Sequence, residues 1–182
     1  GAFTWLAKQM NLIGFLNEAD DFLHEAGIEL RIIGRIPDGF SAVHSRTWKA
    51  TRFLGYVDDP TTEFADARMG LVFDRTGGGF KLKMLDYIFQ RLPIAGYTDA
   101  LEGLPDSMRG FVIEAVETRD LLEAIAATID RVDRLQEMQV GAFAPADGLF
   151  NWTSAVEAFV GTIRNLDTAD RVRPAPKDRR VA

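Results

Sequence analysis

The stretch Leu71–Tyr97, LVFDRTGGGFKLKMLDYIFQRLPIAGY, decides how the chain folds. A short apolar run ends at Asp74, and three glycines follow at Gly77, Gly78 and Gly79. Two lysines, Lys81 and Lys83, then enter an apolar segment with helical spacing, and a second short apolar run, LPIAGY, closes the stretch. Strand, tight loop, helix and strand form a crossover unit, which joins parallel strands. The spacing predicts a helix from Phe80 to Arg91, with Leu82, Leu85, Ile88 and Phe89 on its buried side. Lys83, Asp86 and Gln90 then share a polar face one side over.

The same alternation continues on both sides. Leu12, Phe15, Leu16, Ala19, Phe22, Leu23 and Ala26 recur at helical spacing and stop at Gly27. IELRIIG, from Ile28 to Gly34, reads as a buried strand ended by glycine, and a second strand is expected around Arg52 to Leu54 with a turn at Gly55. A short helix from Thr61 to Arg68 precedes the third strand, GLVFD. RGFVIEAV offers a further strand. The longest helix is expected from Glu117 to Gln139, with a stripe of Leu121, Leu122, Ile125, Ile129, Val132 and Leu135. Asn151 is expected to cap a last helix, WTSAVEAFVGTIRNL. Strands alternating with helices define an α/β domain with a mostly parallel sheet.

Composition bounds the function. With 182 residues, 47% of them hydrophobic, the chain suits one domain with a sizeable core. No apolar run approaches the roughly 20 residues of a membrane span, and GAFTWLAKQM does not read as a signal peptide. The absence of cysteine excludes disulfides and thiolate chemistry, and a cytoplasmic setting is the expectation. A net charge of -6 argues against a general nucleic-acid binder, so an anion must be held locally. The tail DRVRPAPKDRRVA, with five cations against two anions, reads as a disordered end, and a peripheral contact with anionic lipid at the inner face of a membrane is the sharper alternative.

The glycine loop is where local anion binding is expected. Ligands of open α/β sheets collect beyond the carboxyl ends of the strands, and glycine lets a phosphate approach backbone N–H groups at a helix start. The spacing G-x-x-x-x-G-K-[ST] is absent, and a G-x-G-x-x-G match fails because Leu82 stands where the third glycine belongs. A carboxylate one to two turns along the helix, Asp86, suits hydrogen bonds to ribose hydroxyls; the alternative is an ordinary surface pair between Lys83 and Asp86. His24 and His44 are far apart and read as structural or exposed, no His/Asp/Glu cluster has metal spacing, and Trp5, Trp48 and Trp152 are expected at core or interdomain positions.

The segment FLGYVDD…FADARMGLVFDRTGGGFKLKMLDYIFQRLPIAGYTDALEGLP resembles the donor-binding domain of group 1 glycosyltransferases, the retaining GT-B enzymes of family 4. One large subgroup has a strand, a Gly-rich loop, a basic residue, Lys-x-Leu-Glu, Gly-x-Pro-[IV]-[VA] and an "eGl" turn. Gly77–Gly79, Lys81, Lys83, RLPIA and Glu102-Gly103-Leu104 follow that order. LRIIG, FLGYV and FNWTSAVEAF resemble the family's second strand, third strand and terminal helix, so the likeness runs from about residue 11 to 166.

The resemblance implies a Rossmann-like three-layer α/β/α domain over residues 1–166, the C-terminal half of a GT-B fold, followed by the tail at 167–182. It implies that Gly77, Gly78, Gly79 and Phe80, with Lys81 or Lys83, hold the diphosphate of a nucleotide sugar. Asp86 takes the place of a ribose-binding glutamate, Val57 lies near the base, and Glu102, Gly103 and Leu104 lie near the phosphates or sugar. Asp86 is one methylene shorter than that glutamate, and Gly78 stands where some members carry a sugar-contacting glutamate. The implied activity is transfer of a sugar from an NDP-sugar to an acceptor hydroxyl in polysaccharide or glycolipid biosynthesis, with no further cofactor or metal. The acceptor-binding domain would precede this one, and with it the catalytic groups. Gly1 to Trp5 would follow a central first strand whose absence leaves a gap, so the chain is expected to be part of a longer protein, inactive alone. A nucleotide-sugar epimerase and a non-catalytic binding module of the same fold remain the alternatives.

Overall fold

The computed structural model describes residues 3–76, 79–151, 153, 156, 157 and 159–162. Contacts divide the chain into two units, Gly1–Pro145 and Ala146–Ala182, and the architecture below belongs to the first. The boundary expected after residue 166, and the tail beyond it, lie outside the described residues.

Helix α1 (Leu6–Glu25) forms where the apolar spacing predicts it, and Gly27 ends it at φ 69°. Leu12, Phe15, Leu16, Ala19 and Leu23 are buried on one face. That face packs against α6 (Thr118–Thr128), which in turn covers the strands β4 (Ile94–Tyr97) and β5 (Ile113–Ala115). Burying each such leucine contributes on the order of 2 kcal/mol.

All strand pairs are parallel, as crossover connections require. β1 (Leu30–Ile33) pairs with β2 (Thr51–Gly55), and β3 (Gly70–Val72) pairs with β4, which pairs with β5. Among the described residues these are two separate sheets, β1-β2 and β3-β4-β5. Every residue of β4 is buried, as befits the middle strand of its sheet. β1 differs from the buried strand expected there: only Ile32 is buried, and Arg31 is exposed, bonded to Glu29 at 2.8 Å and Glu63 at 3.0 Å.

Two of the expected helices depart from their expected form. Between α3 (Thr61–Asp66) and β4, the helix α4 spans only Lys83–Phe89, and Arg91 beyond it adopts the left-handed φ of 53° with its guanidinium 3.8 Å over the Phe143 ring. Because α4 starts at Lys83, Leu82 falls before the first turn and is 74% exposed; Phe89 is exposed too, and Met84 and Ile88 form the buried side. The long helix expected from Glu117 to Gln139 is two helices, α6 and α7 (Val132–Leu149). At the break between them Arg68 donates to the Ile129 carbonyl and pairs with Asp130, and Val132 is 71% exposed. Much of the last expected helix, with Trp152, lies outside the described residues; the Asn151 amide donates to the carbonyls of Asp147 and Gly148. Trp5 is exposed rather than in the core. Trp48 is half-buried, its indole N–H donating to the Val43 carbonyl at 2.9 Å.

Two short helices complete the unit, α2 (Ser41–His44) and α5 (Asp106–Arg109). A buried carboxylate ties α1 to the start of β2. Asp20 Oδ1 accepts from the N–H groups of Ala50 and Thr51 at 3.1 and 3.0 Å and from the Thr51 hydroxyl at 2.7 Å. Its Oδ2 accepts from the Lys49 N–H at 2.7 Å. Burial works to raise the Asp20 pKa, but these four hydrogen bonds favour the carboxylate and hold it below the ordinary 3.8.

Candidate functional site

Because β3, β4 and β5 are parallel, the loops that follow them emerge at the same end. The loop after β3 is fastened at its first residues. Phe73 stacks on Phe15 of α1, with centroids 4.9 Å apart. The Arg75 guanidinium lies 3.8 Å over the Tyr97 ring, whose hydroxyl is 2.8 Å from the Thr118 hydroxyl. Asn11, buried on α1, clamps the backbone of Thr76: its Nδ2 donates to the carbonyl at 3.0 Å, and its Oδ1 accepts from the N–H at 3.1 Å.

Gly77 and Gly78 lie outside the described residues. Gly79 has φ 78°, the left-handed backbone that a residue with a Cβ resists, so the loop requires glycine at this position. Phe80 turns back against the turn that follows β4: a Cβ built on Gly103, itself at φ 81°, would stand 3.4 Å from Phe80 Cδ2. The structure thus brings two separate parts of the expected site together, the glycine loop and Glu102–Leu104. Glu102 and Gly103 are exposed there, whereas the Leu104 side chain is buried and contributes packing.

The two lysines both face the loop. Lys81 Nζ donates to the Gly79 carbonyl at 2.9 Å. Lys83 pairs with Asp74, nine residues earlier across the glycines, and its ammonium lies 5.3 Å over the Phe73 ring. The surface pair considered between Lys83 and Asp86 is therefore not the observed ion pair; Asp74 takes that place.

Asp86 lies elsewhere on α4. With Gln90, Leu85 and Phe89 it lines an open groove of about 410 Å³ whose opposite wall is Pro60, Thr61 and Phe64. That volume falls in the range of small-molecule pockets, roughly 300–1,000 Å³. Lys83, Asp86 and Gln90 thus divide their roles, the first at the loop and the other two in the groove. Val57 is half-buried and does not line the groove; the chain reaches it three residues later, at Pro60. Tyr87 seats α4 between these features. Its ring packs on Gly70, where a Cβ would come within 2.6 Å of Cδ2, and meets Phe64 edge-on at 5.6 Å. Burial first, then the charges of Asp74 and Asp86, push its phenol up to about 12.

Asn11, Asp74 and Arg75 escaped the sequence reading. Asn11 could have been found, since it is a polar residue next to Leu12 on the apolar stripe of α1. Neither Asp74 nor Arg75 carries a local signal, because each acts through a partner distant in sequence.

No protein-family model matches this chain, and no curated protein matches it significantly. Among the described residues no helix is long and apolar enough to cross a membrane.

Proposed function

We propose that this chain is the donor-binding part of a retaining glycosyltransferase, a Rossmann-like α/β/α domain that binds the nucleoside diphosphate of an NDP-sugar. The observation that carries the reading is one juxtaposition. A loop with a left-handed glycine, two lysines and the Gly103 turn lies just before α4, and a nucleoside-sized groove bearing Asp86 and Gln90 runs along that helix.

In this reading the diphosphate lies along Gly79–Lys83, where Lys81, Lys83 and backbone N–H groups offset its charge. Because α4 has fewer than eight residues, the lysines and loop carry more of that task than a helix dipole does. The Asp86 carboxylate accepts hydrogen bonds from ribose hydroxyls, and the base extends toward Pro60 and Thr61 with Phe64 and Phe89 alongside. Stabilising the departing diphosphate is the contribution such a site makes to glycosyl transfer. The acceptor and the remaining catalytic groups belong to a further domain.

Thermal unfolding with UDP, GDP and ADP tests the proposal. A nucleotide at about 100 times its dissociation constant should add roughly 2.7 kcal/mol of stability. No shift with any of the three, in folded protein, overturns it.

A further inference from the structure

Both lysines of the loop are engaged within the chain itself, and the partner of Lys83 is an acid. Asp74 ends the run from β3 and Lys83 begins α4, so their ion pair joins the end of the strand run to the start of the helix. The pair is unequal: the Asp74 side chain is 12% exposed, whereas that of Lys83 is 34% exposed. Asp74 is also held in place by its chain neighbours, because Phe73 stacks on Phe15 and Thr76 is clamped by Asn11. Lys83 is therefore the member that can change partners, and Asp74 is a fixed negative charge beside the loop proposed to receive an anion.

We propose that Asp74 is a resident counter-ion that sets the affinity of the loop for a diphosphate by competing for Lys83. This inference rests on the donor-site reading above. A diphosphate entering the loop must draw the Lys83 ammonium from Asp74 or share it. The affinity is thereby lower than Gly79–Lys83 would give alone, and Asp74 recovers Lys83 as the nucleoside diphosphate leaves. Asp74 is a positioning and affinity-setting residue, and it need not touch the donor.

Calorimetric titration of inorganic pyrophosphate, UDP, GDP and ADP into the wild type, Asp74→Asn, Lys83→Gln and the double variant tests this. Asp74→Asn should bind the preferred probe roughly fivefold more tightly, a gain of about 1 kcal/mol, and that gain should vanish in the Lys83→Gln background. Asp74→Ser provides a second neutral side chain, and melting curves establish that each variant is folded. Weaker binding by both neutral variants would mean that Asp74 only orients Lys83 for the anion and overturns the proposal. An equal gain with and without Lys83 would also overturn it, as a general charge effect. Wild-type binding with no gain in Asp74→Asn sinks this inference alone. No binding of any probe by any variant sinks the donor-site reading and this inference with it.

Discussion

Asp20 and Asp74 are the same chemical group in opposite circumstances. Asp20 is fully buried and receives three backbone N–H groups and one hydroxyl, with the Arg46 guanidinium 4.0 Å from its Oδ2, so every hydrogen-bond partner is fixed by the fold. Asp74 is bonded to one long, partly exposed side chain at the mouth of a loop. The first arrangement cannot be exchanged without leaving several buried donors unpaired. The second can be exchanged by any anion that offers Lys83 a better partner. A carboxylate is structural when its hydrogen bonds come from backbone, and adjustable when they come from one flexible cation.

The largest effect that can break this contrast is on stability. Asp20→Ala should lower the free energy of unfolding by on the order of 3 kcal/mol, because it strands buried donors. Asp74→Asn should change it by less than about 1 kcal/mol, as for a partly exposed ion pair. Urea titrations of both variants check this, and equal losses would erase the distinction. The acid limb sharpens it further. The folded Asp20 pKa lies below the unfolded value, so its contribution is present above the unfolded pKa and is lost as pH falls through the folded one. Stability measured from neutral pH to about pH 2 should fall less steeply in Asp20→Asn than in the wild type.

Smaller effects are expected at the loop and groove. Asn11→Ala removes two hydrogen bonds to Thr76 and should destabilise by about 1–2 kcal/mol, with faster exchange of the Thr76 amide. Lys83→Gln should weaken nucleoside diphosphate binding about tenfold, close to 1.4 kcal/mol, with little change in the nucleoside alone. Asp86→Ala should weaken the nucleoside as well, by about three- to fivefold. Unchanged nucleoside affinity in that variant would sink the ribose assignment.

Much of the fold was legible because its signals are local. The strands are short, mostly apolar runs, and α1 has an apolar stripe interrupted only by Asn11 and Asp20, with Gly27 at its end. The division of α6 from α7 was not legible. The apolar spacing runs through Thr128-Ile129-Asp130 without glycine or proline, and the contacts at the break come from a distant side chain, Arg68. α4 was overextended for a related reason. Leu82 fits the helical stripe and Phe80 directly precedes it, yet Phe80 packs against the Gly103 turn and Leu82 is exposed. At the candidate site the residue types and their order were readable. The turning of Lys83 to Asp74, and the separation of Asp86 from the loop, are tertiary facts with no local pattern.

The central claim is that the loop before α4 and the groove along it hold the two ends of one nucleotide. Amide NMR spectra recorded while UDP, GDP or ADP is titrated into the wild-type chain test it most directly. The account predicts perturbations in Gly79–Lys83 and at Gly103 that inorganic pyrophosphate reproduces. It also predicts perturbations at Thr61, Asp86 and Gln90 that pyrophosphate does not reproduce. Perturbations confined to other surfaces, such as the groove between Arg68 and Gln136, would contradict it.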